Sequence, residues 1–213
     1  PLGISLIGTF SGIRSRGSAG GSGPSAQAGS ASANASAPAF SPEEAARLAE
    51  MEQAAKEALD MIQIERDPDR RLVMIESFLK SWPGSRHAAA CIGAELSTLI
   101  ELRGGPAAVA HAAIRESEHP DDPRILRIVA ECLLESELRL EHALELARKA
   151  LAMELAGEGP FREAGEPDRA RRERETRYRL TLVRALAANL AWSEALTACD
   201  EALRRGPDND AGL

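Results

Sequence analysis

The amino-acid sequence predicts an all-α protein made of stacked helical hairpins, and three observations carry that prediction. The apolar pattern of Ala130 to Leu151 is written a second time at Leu182 to Leu203. Ala130 falls on Leu182, Leu134 on Leu186, Leu138 on Leu190 and Leu140 on Trp192, while Ala143, Leu144, Ala150 and Leu151 fall on residues of their own type. Aromatic residues make up only 3% of the chain, and Ala and Leu supply most of its 44% hydrophobic content. Sheets draw on β-branched and aromatic side chains, so this composition favours closely packed helices. The breaks recur as well. Pro83 and Pro120 stand 37 residues apart, and Ala108 and Ala143 stand 35 apart. Self-similarity at such periods is the mark of a helical repeat.

Taken in order, the chain opens with the apolar run Pro1 to Phe10, followed by Arg14 and Arg16. Ten residues are too few to span a bilayer, which takes about twenty. The run reads either as the tail of a longer signal or membrane segment, giving a membrane tether, or as a disordered apolar end. On the first reading, residues 1–16 favour the bacterial envelope, periplasmic or membrane-tethered, over the cytoplasm. The lack of a starting Met, and the stop shortly after Pro207, suggest a piece of a longer product. Residues 17–40 are dominated by Gly, Ser and Ala. They have too little apolar surface to offset the entropy of ordering, and are expected to form a disordered linker.

The helical region is expected over residues 41–207, with 208–213 as a tail. Ser41-Pro42-Glu43-Glu44 is a capping box with Pro at the first helical position. Behind it Ala45, Leu48, Met51, Ala55, Ala58, Leu59 and Ile62 form one apolar stripe, up to the break at Asp67-Pro68. A second helix near Asp69 to Ser81 carries Leu72, Ile75, Phe78 and Leu79, and Trp82-Pro83-Gly84 ends it. A third, near Ser85 to Leu102, carries Ala89, Ile92, Leu96 and Leu99. Pro106 suits the first turn of a fourth, and His119-Pro120-Asp121-Asp122-Pro123 closes that hairpin. The fifth and sixth, near Pro123 to Ser136 and Leu140 to Leu155, hold the first copy of the echoed stretch. An insertion with Gly and Pro follows, near Ala156 to Glu173. Its second half is dense in Arg and Glu and reads as a solvated helix start. The seventh and eighth helices, near Arg169 to Asn189 and Trp192 to Arg205, hold the second copy.

These residues resemble the tetratricopeptide repeat (TPR) family, a helix–turn–helix unit of about 34 residues. In the last unit Leu182 and Leu186 stand at helix A positions, Trp192 opens helix B, and Ala195, Cys199, Ala202 and Pro207 follow. In the unit before, Ala130, Leu134, Leu140, Ala143, Ala147 and Ala150 match, whereas Glu131 and Val183 stand where the family usually has Gly or Ala. Ala108, Val109 and Ala112 keep the pattern in part, and the first hairpin less. The resemblance implies a right-handed α-solenoid of about four stacked hairpins, with a concave face lined by the first helix of each. It implies that Ser97, Ile100, Ile125, Ile128, Cys132, Arg177, Leu180 and Arg184 point to that face and bind a partner peptide or helix. The result would be a mostly apolar groove with arginines near one end, suited to an acidic or carboxylate-bearing segment. The alternative for Arg177 and Arg184 is that they are ordinary solvated charges. The Lys and Asn clamp that some family members use for a terminal carboxylate has no counterpart here.

Function classes narrow accordingly. A net charge of −7 argues against nucleic acid, which calls for a basic footprint. Cys91, Cys132 and Cys199 are an odd, scattered set and read as buried structural thiols. His87 and Cys91 lie four apart, but zinc wants further ligands that the sequence does not supply, so no metal is expected. No phosphate loop, nucleophile elbow or HExxH is present. No cofactor and no catalytic activity are therefore expected, and the leading expectation is a non-enzymatic scaffold for a protein or peptide partner. Its rivals are an accessory region of a larger kinase, transferase or thioredoxin-like enzyme, and a spacer that binds nothing.

Overall fold

The computed structural model describes residues 41–158 and 167–206. The expectations for residues 1–40, for the Gly- and Pro-rich middle of the insertion, and for Pro207 to Leu213 lie outside the described residues. Within them there are eight α-helices and no strand. They are α1 (Pro42–Ile64), α2 (Pro68–Ser81), α3 (Ala88–Arg103), α4 (Gly105–Glu118), α5 (Pro123–Glu135), α6 (Leu140–Ala156), α7 (Asp168–Ala188) and α8 (Trp192–Arg204).

Three of the starts share one device: a capping side chain followed by Pro, whose missing N–H costs nothing at that position. Ser41 Oγ accepts from Glu44 N at 3.2 Å while Glu44 Oε2 accepts from Ser41 N at 2.9 Å. Asp67 Oδ1 accepts from Asp69 N at 3.0 Å, and Asp122 Oδ1 accepts from Arg124 N at 3.0 Å. Asp67 is thus a cap, and α2 starts one residue before the expected Asp69. α3 starts at Ala88 and not near Ser85, because Ser85 N donates to Trp82 O and Ala88 N to Ser85 O. The turn from α4 into α5 copies this one 37 residues later, with Asp122 N donating to His119 O and Ile125 N to Asp122 O. Trp82 and His119 even share the dihedral angles φ −133° and ψ 55°.

Each helix packs on the next, and α3 also touches α5, α5 touches α7 and α1 touches α3. The even-numbered helices make no close backbone approach to one another and are bridged by long side chains, His142 on α6 to Glu116 on α4 at 2.9 Å and Arg148 on α6 to Glu194 on α8 at 2.8 Å. The main core runs through α3 to α7, with Leu96, Leu99, Leu126, Leu133, Ala143 and Ala150 among its buried residues. Ala108, Ala112, Ala143 and Ala150 are fully buried, and their small size lets neighbouring helices approach closely. A smaller cluster gathers Ala55, Leu59, Ile62, Ile75, Phe78 and Cys91. Only the second half of the α1 stripe is used: Leu48 and Met51 are 44% and 46% exposed.

The echo is real, but its register in the first helix of each pair is one residue away from the sequence alignment. Leu138 N donates to Leu133 O, and Ala191 N to Leu186 O, which is a displacement of 53 residues. From Ala143 N to Arg139 O, matched by Ala195 N to Ala191 O, the displacement is 52. The α5–α6 turn therefore holds one extra residue, Arg139, in the left-handed region at φ 52°. Val129 matches Leu182, Ala130 matches Val183 and Leu133 matches Leu186. The apparent departure at Glu131 disappears, because a small residue, Ala130, occupies the place opposite Val183.

Buried ion pairs tie the helices together. Arg115 on α4 meets Glu95 on α3 with two hydrogen bonds of 2.8 Å, and Glu95 is 6% exposed. Arg179 on α7 joins Glu175 at 2.7 Å and reaches Glu201 on α8 at 2.9 Å. The insertion's Arg–Glu half works the same way: Arg174 bonds Glu154 on α6 at 2.7 Å.

Candidate functional site

A groove of about 130 Å³ lies between α3 and α5, lined by Gly93, Leu96, Ser97, Ile100, Ile128, Glu131, Cys132 and Glu135. It exists because Gly93 has no side chain on the α3 surface facing Ile128. A Cβ built there would stand 3.8 Å from Ile128 Cδ1 and Cγ2, in ordinary contact, so a larger side chain would take up the space. The floor is apolar and the α5 edge is acidic. Glu131 is held in place: Thr181 Oγ1 on α7 donates to it at 2.8 Å, and Arg127 Nη1 donates at 2.6 Å. Arg127 also lies 5.7 Å above the Tyr178 ring. Glu135 is exposed.

Four of the eight residues that the resemblance assigned to the binding face line this groove: Ser97, Ile100, Ile128 and Cys132. Cys132 is 3% exposed and forms part of the wall, and burial pushes its thiol up to about 11. At neutral pH it is a neutral, apolar lining group. Arg177, Leu180 and Arg184 are exposed on α7. In the corrected register Arg184 matches Glu131, which lines the groove on α5, and Leu180 matches Arg127, which holds Glu131 in place. Neither Arg177 nor Arg184 has an ion-pair partner among the described residues.

Ile125 is a correction. It is 1% exposed within the main core, because it matches Tyr178, which is also buried, and both face the neighbouring helices. Sequence reasoning missed Gly93, Leu96, Glu131 and Glu135. Gly93 carried a signal, since a glycine inside a helix costs about 1 kcal/mol against Ala and invites a packing or binding reason.

The other candidate groups lie apart from one another. Cys91 is fully buried and its thiol is pushed up to about 12 by burial. His87 lies 3.9 Å from Glu52, while Cys91 Sγ is directed to Ile75 O, so the two do not converge. Cys199 is half-buried on α8, which corrects its expected burial. Tyr178 has its phenol raised by burial, with Glu154 adding to the shift. Among the described residues no group of three or more His, Cys, Asp or Glu is placed to hold a metal ion. No described helix is long and apolar enough to cross a membrane. A wider, open hollow of about 400 Å³ lies over Glu65, Asp69, Arg70, Val73 and Met74.

Comparison with known proteins finds no matching family model, no matching curated protein and no matching solved structure.

Proposed function

We propose that the helical region is a non-enzymatic, TPR-like scaffold, a right-handed solenoid of about four hairpins that binds a protein segment along its odd-numbered helices. The observation that carries this reading is the apolar groove between α3 and α5, continued by exposed Leu180, Arg177 and Arg184 on α7. The close backbone approach of odd-numbered helices to one another, where even-numbered ones meet through long side chains, supports an inward-curving odd face. The segment that suits it is amphipathic. An apolar side chain fills the space left by Gly93, and a carboxylate reaches the arginines of α7.

A displayed library of random peptides, selected against the 213-residue chain, tests the proposal. Enriched peptides should carry an apolar anchor and an acidic group. Their binding should fall at least tenfold in Gly93→Leu, which fills the groove, and in the Arg177→Glu, Arg184→Glu double variant. Thermal melts of both variants should match the parent within a few degrees. Peptides that bind the folded variants as tightly as the parent would place recognition elsewhere, and a selection that enriches nothing saturable would leave the spacer reading in its place.

A further inference from the structure

The outer face of α8 carries an apolar row that the fold leaves open, and the fold also shows what kind of surface covers such a row. On α6 the equivalent residues are Leu140, Leu144, Ala147 and Leu151, at spacings of four, three and four. Leu144, Ala147 and Leu151 pack in the main core. The covering helix is α7, running antiparallel: Arg174 bonds Glu154 at one end, and Asn189 Nδ2 donates to Leu140 O at 2.9 Å at the other. The face of α7 turned to α6 has the same spacing, with Tyr178, Leu182 and Ala185 in or against that core and Asn189 at the end.

α8 repeats the pattern with Trp192, Leu196, Cys199 and Leu203. Trp192, Leu196 and Leu203 are 59%, 70% and 65% exposed, and Cys199 is half-buried. The four residues of the row are all uncharged, and exposed Asp200 borders it beside Leu196 and Leu203. The acids on the other side of α8 are engaged within the chain, Glu194 with Arg148 at 2.8 Å and Glu201 with Arg179 at 2.9 Å. The order on α8 (large, Leu, small, Leu) is that of the covered row on α6. Its first three places, aromatic, Leu and small, are those of the covering row on α7. The row is therefore complementary to itself in an antiparallel arrangement.

We infer that a second copy of this chain docks α8 against α8, antiparallel, as α7 docks on α6. Trp192 then meets the partner's Leu203, and Leu196 meets the partner's Cys199. The two-fold axis passes between Leu196 and Cys199, so the contact is isologous and closes at a dimer. The row offers ~400 Å² of surface per copy, about half of what a standard interface buries on each side, so the dimer should be weak and reversible. This surface is separate from the groove between α3 and α5.

Sedimentation velocity of the 213-residue chain over a range of concentrations tests it. The expected result is a reversible monomer–dimer equilibrium, weakened at least tenfold by Leu196→Glu with unchanged helical circular dichroism. Leu48→Glu, on exposed α1, serves as the control and should leave the equilibrium alone. A short bis-maleimide should join two copies through Cys199, with the product lost in Cys199→Ser. A chain that stays monomeric at every concentration would overturn the inference, because the row would then be free or covered by something else. So would a dimer that survives Leu196→Glu, or assembly that continues past two copies.

Discussion

The 23 residues of α1 contribute three buried side chains, Ala55, Leu59 and Ile62, whereas the 13 residues of α5 contribute seven. Both helices carry an apolar stripe of helical period. The difference is position: α5 lies among α3, α4, α6 and α7, while α1 touches α2 and α3. An amphipathic helix that cannot find a second wall leaves half its stripe in water, however regular the stripe. What fastens α1 is in large part polar. Glu52 accepts from Ser85 Oγ at 2.8 Å and from Arg86 N at 3.3 Å, and Arg71 donates to Glu65 O at 2.7 Å.

The sharpest way to break this comparison is to cut the same side chain from both regions. Leu126→Ala, in the main core, should cost about 3–4 kcal/mol in denaturant unfolding, since the cavity is enclosed on all sides. Leu59→Ala, in the smaller cluster, should cost no more than about 2 kcal/mol and should speed amide exchange in α1 before that of α5. Equal costs, or equal exchange, would mean that the two regions form one cooperative unit. Next in size, Arg115→Ala should lose about 2–3 kcal/mol, because it strands the buried Glu95 carboxylate beside His111 alone. A change below about 0.5 kcal/mol would show that water reaches Glu95 and that the pair is a surface one.

The smallest effect belongs to the start of α1. Ser41→Ala removes the cap and should cost that helix about 1 kcal/mol, visible as fraying of its first turn by amide exchange. The backbone hydrogen bond from Ser41 holds the Glu44 carboxyl below its ordinary 4.5. A carboxyl with a depressed folded value contributes fully above its unfolded value and loses the contribution as pH falls through the folded one. Fraying of the first turn should therefore grow as pH drops below 4.5, and Glu44→Gln should be insensitive to that drop.

Helix boundaries were the most legible part of the chain, because Ser41, Asp67 and Asp122 each precede a Pro that fixes the first helical position. Register was less so. Arg139 sits in a left-handed conformation without being Gly or Asn, so nothing in its type announces the extra turn residue that shifts α5 against α7. That one-residue shift also explains Ile125, which belongs with buried Tyr178 and not with the open face. The groove was half legible. Gly93 signals a gap in α3, but what lies across a gap depends on which helix is packed opposite, and Glu131 enters because Thr181 on α7 and Arg127 orient it. The open row on α8 reads in sequence as core, like its echo on α6, and only burial distinguishes the two.

Among the described residues, every helix packs solely on helices one or two places away in the chain. Contacts of such short range ask for little loop closure, and closure entropy is what slows the folding of non-local topologies. A chain of this kind can settle while it is still being synthesised. Each new helix meets its wall among those just completed, and none has to wait for the far end to arrive.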